Sequence, residues 1–112
     1  MIETRFKLFD RLKIRDTNAK YPAMLLDLRD AEYWGFEVEN SHNQNATVSL
    51  IGGSVGVPGS AGNVGADVTV NTATTEPIAT DIWLPFLGVK VAFATAPASG
   101  EITITGFIKR KR

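Results

Sequence analysis

Hydrophobic and polar residues alternate with a period of two along most of this chain. The clearest stretch covers residues 83–108. Leu87, Val89, Val91 and Phe93 share one face, and after the break Ala96-Pro97-Ala98-Ser99-Gly100 so do Ile102, Ile104, Gly106 and Ile108. Successive side chains of a strand leave opposite faces of its sheet, so this spacing predicts two strands, paired as a hairpin or simply consecutive. The Pro, Ser and Gly between them supply the turn.

The same period recurs upstream. Phe6, Leu8, Leu12 and Ile14 stand in one phase and Arg5, Lys7, Arg11, Lys13 and Arg15 in the other, with Phe9 out of phase. One long edge strand with charged outward positions fits, as do two short strands around Asp10; a helix is disfavoured because Phe6, Phe9 and Lys13 make no clean stripe. Asp16-Thr17-Asn18 reads as a turn, and residues 23–28 as a strand with Met24, Leu26 and Leu28 inward. Trp34, Phe36 and Val38 alternate with Gly35, Glu37 and Glu39. A polar connector, residues 40–45, leads to a strand with Ala46, Val48 and Leu50 inward. Residues 52–65 hold six glycines and a proline and read as a flexible or tightly coiled loop, longer than most connections. Beyond it come a short strand with Val68 and Val70, a turn region at residues 72–77, a weak strand at residues 78–84, and Pro85 at the start of the next strand. The expectation is all-β: seven to eight mostly antiparallel strands in two packed sheets, a β-sandwich of which the jelly roll is one winding. Its predicted core is Phe36, Val38, Val48, Leu50, Val89, Val91, Ile102 and Ile104.

With 112 residues the chain is expected to form a single domain, residues 1–112, ending in a basic tail, residues 109–112. No apolar run is long enough for a membrane span, and the opening MIETRFKLFDRLK lacks the apolar segment of a secretory signal. The absence of cysteine removes disulfides, thiol chemistry and cysteine metal sites. Net charge is zero but unevenly spread: residues 40–108 hold only Lys90 against Asp67, Glu76, Asp81 and Glu101, and the last four residues, Lys109, Arg110, Lys111 and Arg112, are all basic. A long stretch poor in charge, whose outward positions are Thr, Ser, Asn, Ala and Gly, suits either a surface that meets other protein or a plain Thr-rich β protein.

Nothing in the sequence assembles a catalytic set. His42 is the single histidine and, in its polar loop, reads as a surface residue. The carboxylates Asp27, Asp30 and Glu32 are close in sequence, and Glu37 and Glu39 share a strand face; such pairs could bind a cation or serve as an acid/base pair, but more readily face water or a neighbour's Lys or Arg. The glycine-rich loop lacks the Gly-Lys-Ser/Thr ending of a phosphate loop. Trp34, Trp83, Tyr33 and Tyr21 are candidates for a sugar-stacking platform, with core packing favoured for Trp34 and a plug at a strand end for Trp83. No cofactor and no metal are expected. The basic tail could touch phosphates, but nucleic acid is disfavoured as a partner without a second basic patch, and subunit contact is the preferred use.

The runs Phe36-Glu37-Val38-Glu39-Asn40-Ser41, Ala46-Thr47-Val48-Ser49-Leu50 and residues 84–91 through 96–100 resemble small β-sandwich structural proteins of tailed phages and related viruses. The resemblance implies a non-enzymatic, self-assembling capsid, decoration or fibre subunit, located in the virion and assembled in the host cytoplasm beside other virion proteins. Expected homo-oligomer contacts are Arg5, Arg11 and Arg15 on one strand face, and Glu32, Glu37 and Glu39 against Lys109, Arg110, Lys111 and Arg112 of a neighbour. The alternative is a carbohydrate- or surface-binding β-sandwich module, which an exposed aromatic pair near the glycine loop would favour.

Overall fold

The computed structural model describes residues 2–110. Among them are nine strands: β1 (Ile2–Leu12), β2 (Leu26–Asp27), β3 (Ala31–Asn40), β4 (Ala46–Gly53), β5 (Gly62–Asn63), β6 (Val68–Val70), β7 (Thr74–Ala79), β8 (Phe86–Ala92) and β9 (Ile102–Arg110). They form two antiparallel sheets. Sheet I has the order β1-β9-β3-β7; sheet II has the order β2-β8-β4-β5, with β6 also on β4. The first half of the chain therefore pairs with the second in reverse, β1 with β9, β2 with β8, β3 with β7 and β4 with β6. That folded-over hairpin, shared between two sheets, is the winding of a jelly roll. The sheets stay open at their edges. The expected all-β sandwich is what forms, with more strands than expected because two of them are only two residues long.

Every predicted core residue is buried between the sheets, from Phe36 and Val38 on β3 to Ile102 and Ile104 on β9. Each such side chain contributes about 1.5–3 kcal/mol over leaving it in water. β8 and β9 are the two strands read from residues 83–108, but they lie in different sheets, so the turn between them is a crossover and no hairpin forms. Gly100 makes that crossover with φ of 89°, and a Cβ there would strike the Ser41 carbonyl oxygen.

Several expectations need correction. Phe9, out of phase in the sequence, is buried next to Leu8 because the β1–β9 register shifts between Lys7 and Phe9 and again before Leu12. A bulge adds a residue to one strand and re-aims the side chains beyond it. Residues 23–28 are mostly not strand: Met24 is 41% exposed, and Leu25 is buried instead. Residues 72–77, read as a turn, supply most of edge strand β7, while residues 78–84 leave the sheet after Ala79. Pro77 is tolerated there because β7 pairs on one side only, with β3.

His42 reverses the surface reading most sharply. It is 1% exposed, edge-on to Phe93 with ring centroids 4.8 Å apart. Its Nε2 accepts the Ile14 backbone N–H at 3.1 Å, which leaves Nδ1 to donate to Asn40 Oδ1 at 3.2 Å. The buried Asn40 amide in turn donates to the carbonyls of Gln44 and Val70. The polar loop is thus tied inward by side-chain hydrogen bonds that satisfy otherwise costly buried groups. Burial, with the Arg15 charge nearby, holds the His42 pKa below its ordinary value.

Candidate ligand groove

The two sheets treat their outer faces differently. On sheet II the chain covers its own face. Leu25 lies over Gly88, where a Cβ would come within 2.6 Å of Leu25 Cδ2, and Ile51 is fully buried outside the main core. The glycine-rich segment folds onto the same sheet. Gly62 and Asn63 pair with Gly52 and Ile51, Pro58–Ser60 form a 3-10 turn, and Gly56 approaches the Phe86 ring so closely that a Cβ would stand 3.1 Å away. The segment expected to be flexible or tightly coiled is thus tied to the sheet at both ends, through Gly52 and Gly53 of β4 and Gly62 and Asn63 of β5.

The outer face of sheet I is open. Register aligns Arg5, Phe107, Gly35 and Ala79 across the four strands, and Lys7, Thr105, Glu37 and Pro77 in the next row. Because Gly35 has no side chain, the Phe107 ring settles across it; a Cβ there would lie 2.7 Å from Phe107 Cζ. The Arg5 guanidinium stands 6.0 Å from the centre of that ring. The result is an open groove of about 340 Å³ lined by Tyr33, Trp34, Pro77, Ala79 and Lys109 around Phe107. Its apolar floor is made by Phe107 together with Pro77 and Ala79 of the edge strand.

A second hollow of about 260 Å³ is lined by Glu32, Tyr33, Trp34, Thr80 and Asp81. Tyr33 and Trp34 belong to both. Tyr33 is 60% exposed, whereas Trp34, on the opposite face of β3, is half-buried and packs against the core as its phase suggested, its indole N–H donating to the Ile82 carbonyl at 3.0 Å. The Ile82 N–H donates to Thr80 Oγ1 at 3.1 Å, so the wall opposite Tyr33 is ordered by the same short segment. Trp83, expected as a core plug, is 48% exposed, and its indole N–H caps the Leu28 carbonyl at 2.9 Å. It stands beside Ile82, which packs on Gly65 at the end of the glycine loop.

Charges around the groove are unevenly matched. Asp27 binds Arg29 at 2.6 Å, and Arg110 binds Asp30 at 2.7 Å. The Arg29 hydrogen bonds hold the Asp27 carboxyl down at about 2. Among the described residues neither Glu32 nor Asp81 has an ion-pair or side-chain hydrogen-bond partner. Both are exposed.

Of the residues read as subunit contacts, the structure gathers Arg5, Glu32, Glu37, Glu39 and Lys109 at the outer face of sheet I and its rim. Arg5 binds Glu3 at 2.9 Å. Arg11 and Arg15 do not continue the Arg5 face: the bulges and the φ of 54° at Arg11 turn them toward the crossover, where Arg11 binds Glu101 at 2.9 Å and Arg15 donates to the Gly100 carbonyl. Arg110 is held by Asp30 of its own chain, and Lys111 and Arg112 lie outside the described residues. Phe107, Pro77, Thr80 and Asp81 were not singled out in the sequence. The available signal was a phenylalanine in the outward phase of β9 facing a glycine in the outward phase of β3.

No group of three or more His, Asp or Glu side chains is placed to hold a metal among the described residues, and His42 has both ring nitrogens engaged in structural hydrogen bonds. No described helix is long and apolar enough to cross a membrane. The architecture is an antiparallel two-sheet β-sandwich. No family model matches the chain, and no curated protein matches it. Its fold is similar to that in the crystal structure of PirA, with 11% identity over 95% of this chain and 91% of that one and a TM-score of 0.54. At that identity the likeness extends to the fold alone.

Proposed function

We propose that the protein is a non-catalytic binding module that takes a carbohydrate chain in the groove on the outer face of sheet I. The observation that carries this is the exposed Tyr33, shared by two hollows, one lined by the apolar Phe107, Pro77 and Ala79 and the other by the polar Glu32, Thr80 and Asp81. Aromatic rings offer a flat apolar surface with low ordering cost, suited to the C–H face of a sugar ring, while flanking carboxylates, hydroxyls and an ammonium group fix its orientation. The groove stands on strands of a sheet, which position side chains more rigidly than a loop. A panel of immobilised glycans tests this. Tyr33→Ala should abolish retention while leaving the unfolding midpoint unchanged; retention by no glycan would end the reading.

One observation favours a second reading, homotypic assembly, with a virion shell, decoration or fibre as its setting. The face that carries Arg5 and Lys7 on β1 also carries Glu37 and Glu39 on β3, with the uncharged Phe107, Thr105 and Thr103 of β9 between. A twofold axis over β9 would bring the basic column of one copy onto the acidic column of the other, as an isologous contact requires. Exposed ion pairs add little energy each, so the apolar groove would have to supply the affinity. Native mass spectrometry at rising protein concentration separates the two readings.

A further inference from the structure

At the opposite end of β3 and β9 from the groove, one buried ring ties separate segments together. Residues 13–19 lie between the last β1 pairing, at Leu12, and the bridge from Lys20 to Val91. Among the described residues they make no hydrogen bond from backbone to backbone. Two bonds that involve side chains fasten the segment instead. The Ile14 N–H donates to His42 Nε2 at 3.1 Å in the interior, and Arg15 Nη1 donates to the Gly100 carbonyl at 3.0 Å on the surface. Asn40 decides which ring nitrogen is which. Its amide nitrogen is committed to the carbonyls of Gln44, Val70 and Asn71, so its Oδ1 faces His42 and accepts from the His42 backbone N–H and from the ring. The ring proton therefore sits on Nδ1, and the lone pair of Nε2 is the acceptor that Ile14 uses.

We infer that His42 is an acid-released latch: protonation of its ring frees residues 13–19 from the end of the sandwich and uncovers Ile14 and Phe93, while both sheets stay folded. A second ring proton turns Nε2 from acceptor to donor and sets it against the Ile14 N–H, which becomes a buried donor without an acceptor. The charged groups that face the ring are Arg15 of the same connection, which opposes the imidazolium, and Glu101 of the crossover, which favours it. Glu101 is already engaged by Arg11 at 2.9 Å. Phe93, just after β8, and Asn40 bring no charge. Release lets the imidazolium reach water and carries Arg15 away from it in the same motion. The surface it uncovers is apolar, since Ile14 and Phe93 are both buried members of the core. The Tyr33 groove stands at the other ends of β3 and β9, so the latch is independent of the glycan reading.

Amide hydrogen exchange of the whole protein tests this, followed residue by residue by NMR from neutral to mildly acidic pH and corrected for the intrinsic pH dependence of exchange. Ile14 should be less protected than Ile104 of β9, and low denaturant should hardly change its protection, as a small opening requires. Below about pH 6.5 that protection should fall by up to about tenfold per pH unit, the limit for one proton. In His42→Gln, whose amide oxygen can still accept the Ile14 N–H, the fall should vanish. The ring nitrogen shifts of the parent give a check that needs no variant: at neutral pH they should show the proton on Nδ1. Equal protection of Ile14 and Ile104 at every pH and denaturant concentration would overturn the latch, because Ile14 would then be freed only by global unfolding. A proton on Nε2 would overturn it as well. A small opening that is flat with pH in the parent, or that falls just as steeply in His42→Gln, would overturn the assignment to His42.

Discussion

Sheet II hides its outer face under its own chain, and sheet I leaves its outer face bare. On sheet II the segment before β2 and the glycine-rich segment after β4 supply Leu25 and a close-packed backbone over Gly88 and Phe86. On sheet I the aligned Phe107, Gly35 and Ala79 line an open groove among the described residues, and the exposed aromatic Tyr33 sits among charged neighbours. Both faces use a glycine to admit a large side chain. At Gly88 the visitor is buried and part of the fold; at Gly35 it is the half-buried floor of an open groove. A covered face contributes stability, while a bare apolar face costs solubility and is retained where something binds it.

The interior common to both sheets sets the scale. Ile104→Ala, in the fully buried middle of β9, should lower unfolding free energy by about 2–5 kcal/mol in denaturant titration. Gly88→Ala should follow at about 1–3 kcal/mol, because the enclosed Leu25 side chain has nowhere to retreat. If Gly88→Ala proved as mild as an ordinary surface change, Leu25 would not be enclosed and sheet II would be no better covered than sheet I.

His42 gives an effect that depends on pH. Its folded pKa is lowered, first by burial and then by Arg15, with Glu101 opposing. The unfolded chain then takes up the proton first, so stability is fully present above the ordinary histidine value of about 6.5 and is lost as pH falls through it toward the lowered folded value. Protonation would also set an N–H at Nε2 against the Ile14 N–H. Thermal unfolding midpoints between neutral and mildly acidic pH should fall accordingly, and His42→Gln should flatten that slope.

The smallest stability effect should come from the bare face. Gly35→Ala requires the Phe107 ring to move, but the ring borders open groove, so the cost should stay below about 1 kcal/mol while glycan retention changes. Comparing Gly35→Ala with Gly88→Ala in one denaturation series tests the contrast between the faces directly.

Much of the sandwich was legible from side-chain period, because β3, β4, β8 and β9 each put a row of apolar residues between the sheets. β7 was not, since Ile78 is its one buried residue and Pro77 sits in its middle. The burial of Phe9 depends on a bulge, and that of His42 on Ile14 and Phe93 arriving from elsewhere in the chain; neither is a local property. Tyr33 could be named from sequence among the candidates for a sugar platform, and Trp34 as packing on the core, which it does. Phe107, Thr80 and Asp81 could not be added, because only the β3–β9 and β3–β7 registers bring their segments beside those two residues.

The reversed pairing of the two halves also dictates how this chain can fold. The rungs nearest in sequence join β4 to β5, Gly52 opposite Gly62, and then β4 to β6, Val48 opposite Val68 and Ala46 opposite Val70. The next join Phe36 to Ile78, then Leu26 to Leu87, and finally Phe6 to Gly106. Each closure shortens the loop that the next must close, and loop entropy grows with that length. Zipping outward from the β4–β5 end is thus the route of least entropic cost, and the β1–β9 ladder forms last. With so few local contacts to start from, the whole process should take milliseconds to seconds, the range of sandwiches dominated by distant pairings. Until its last rungs close, the chain must hold together two sheets of which one still lacks its longest edge.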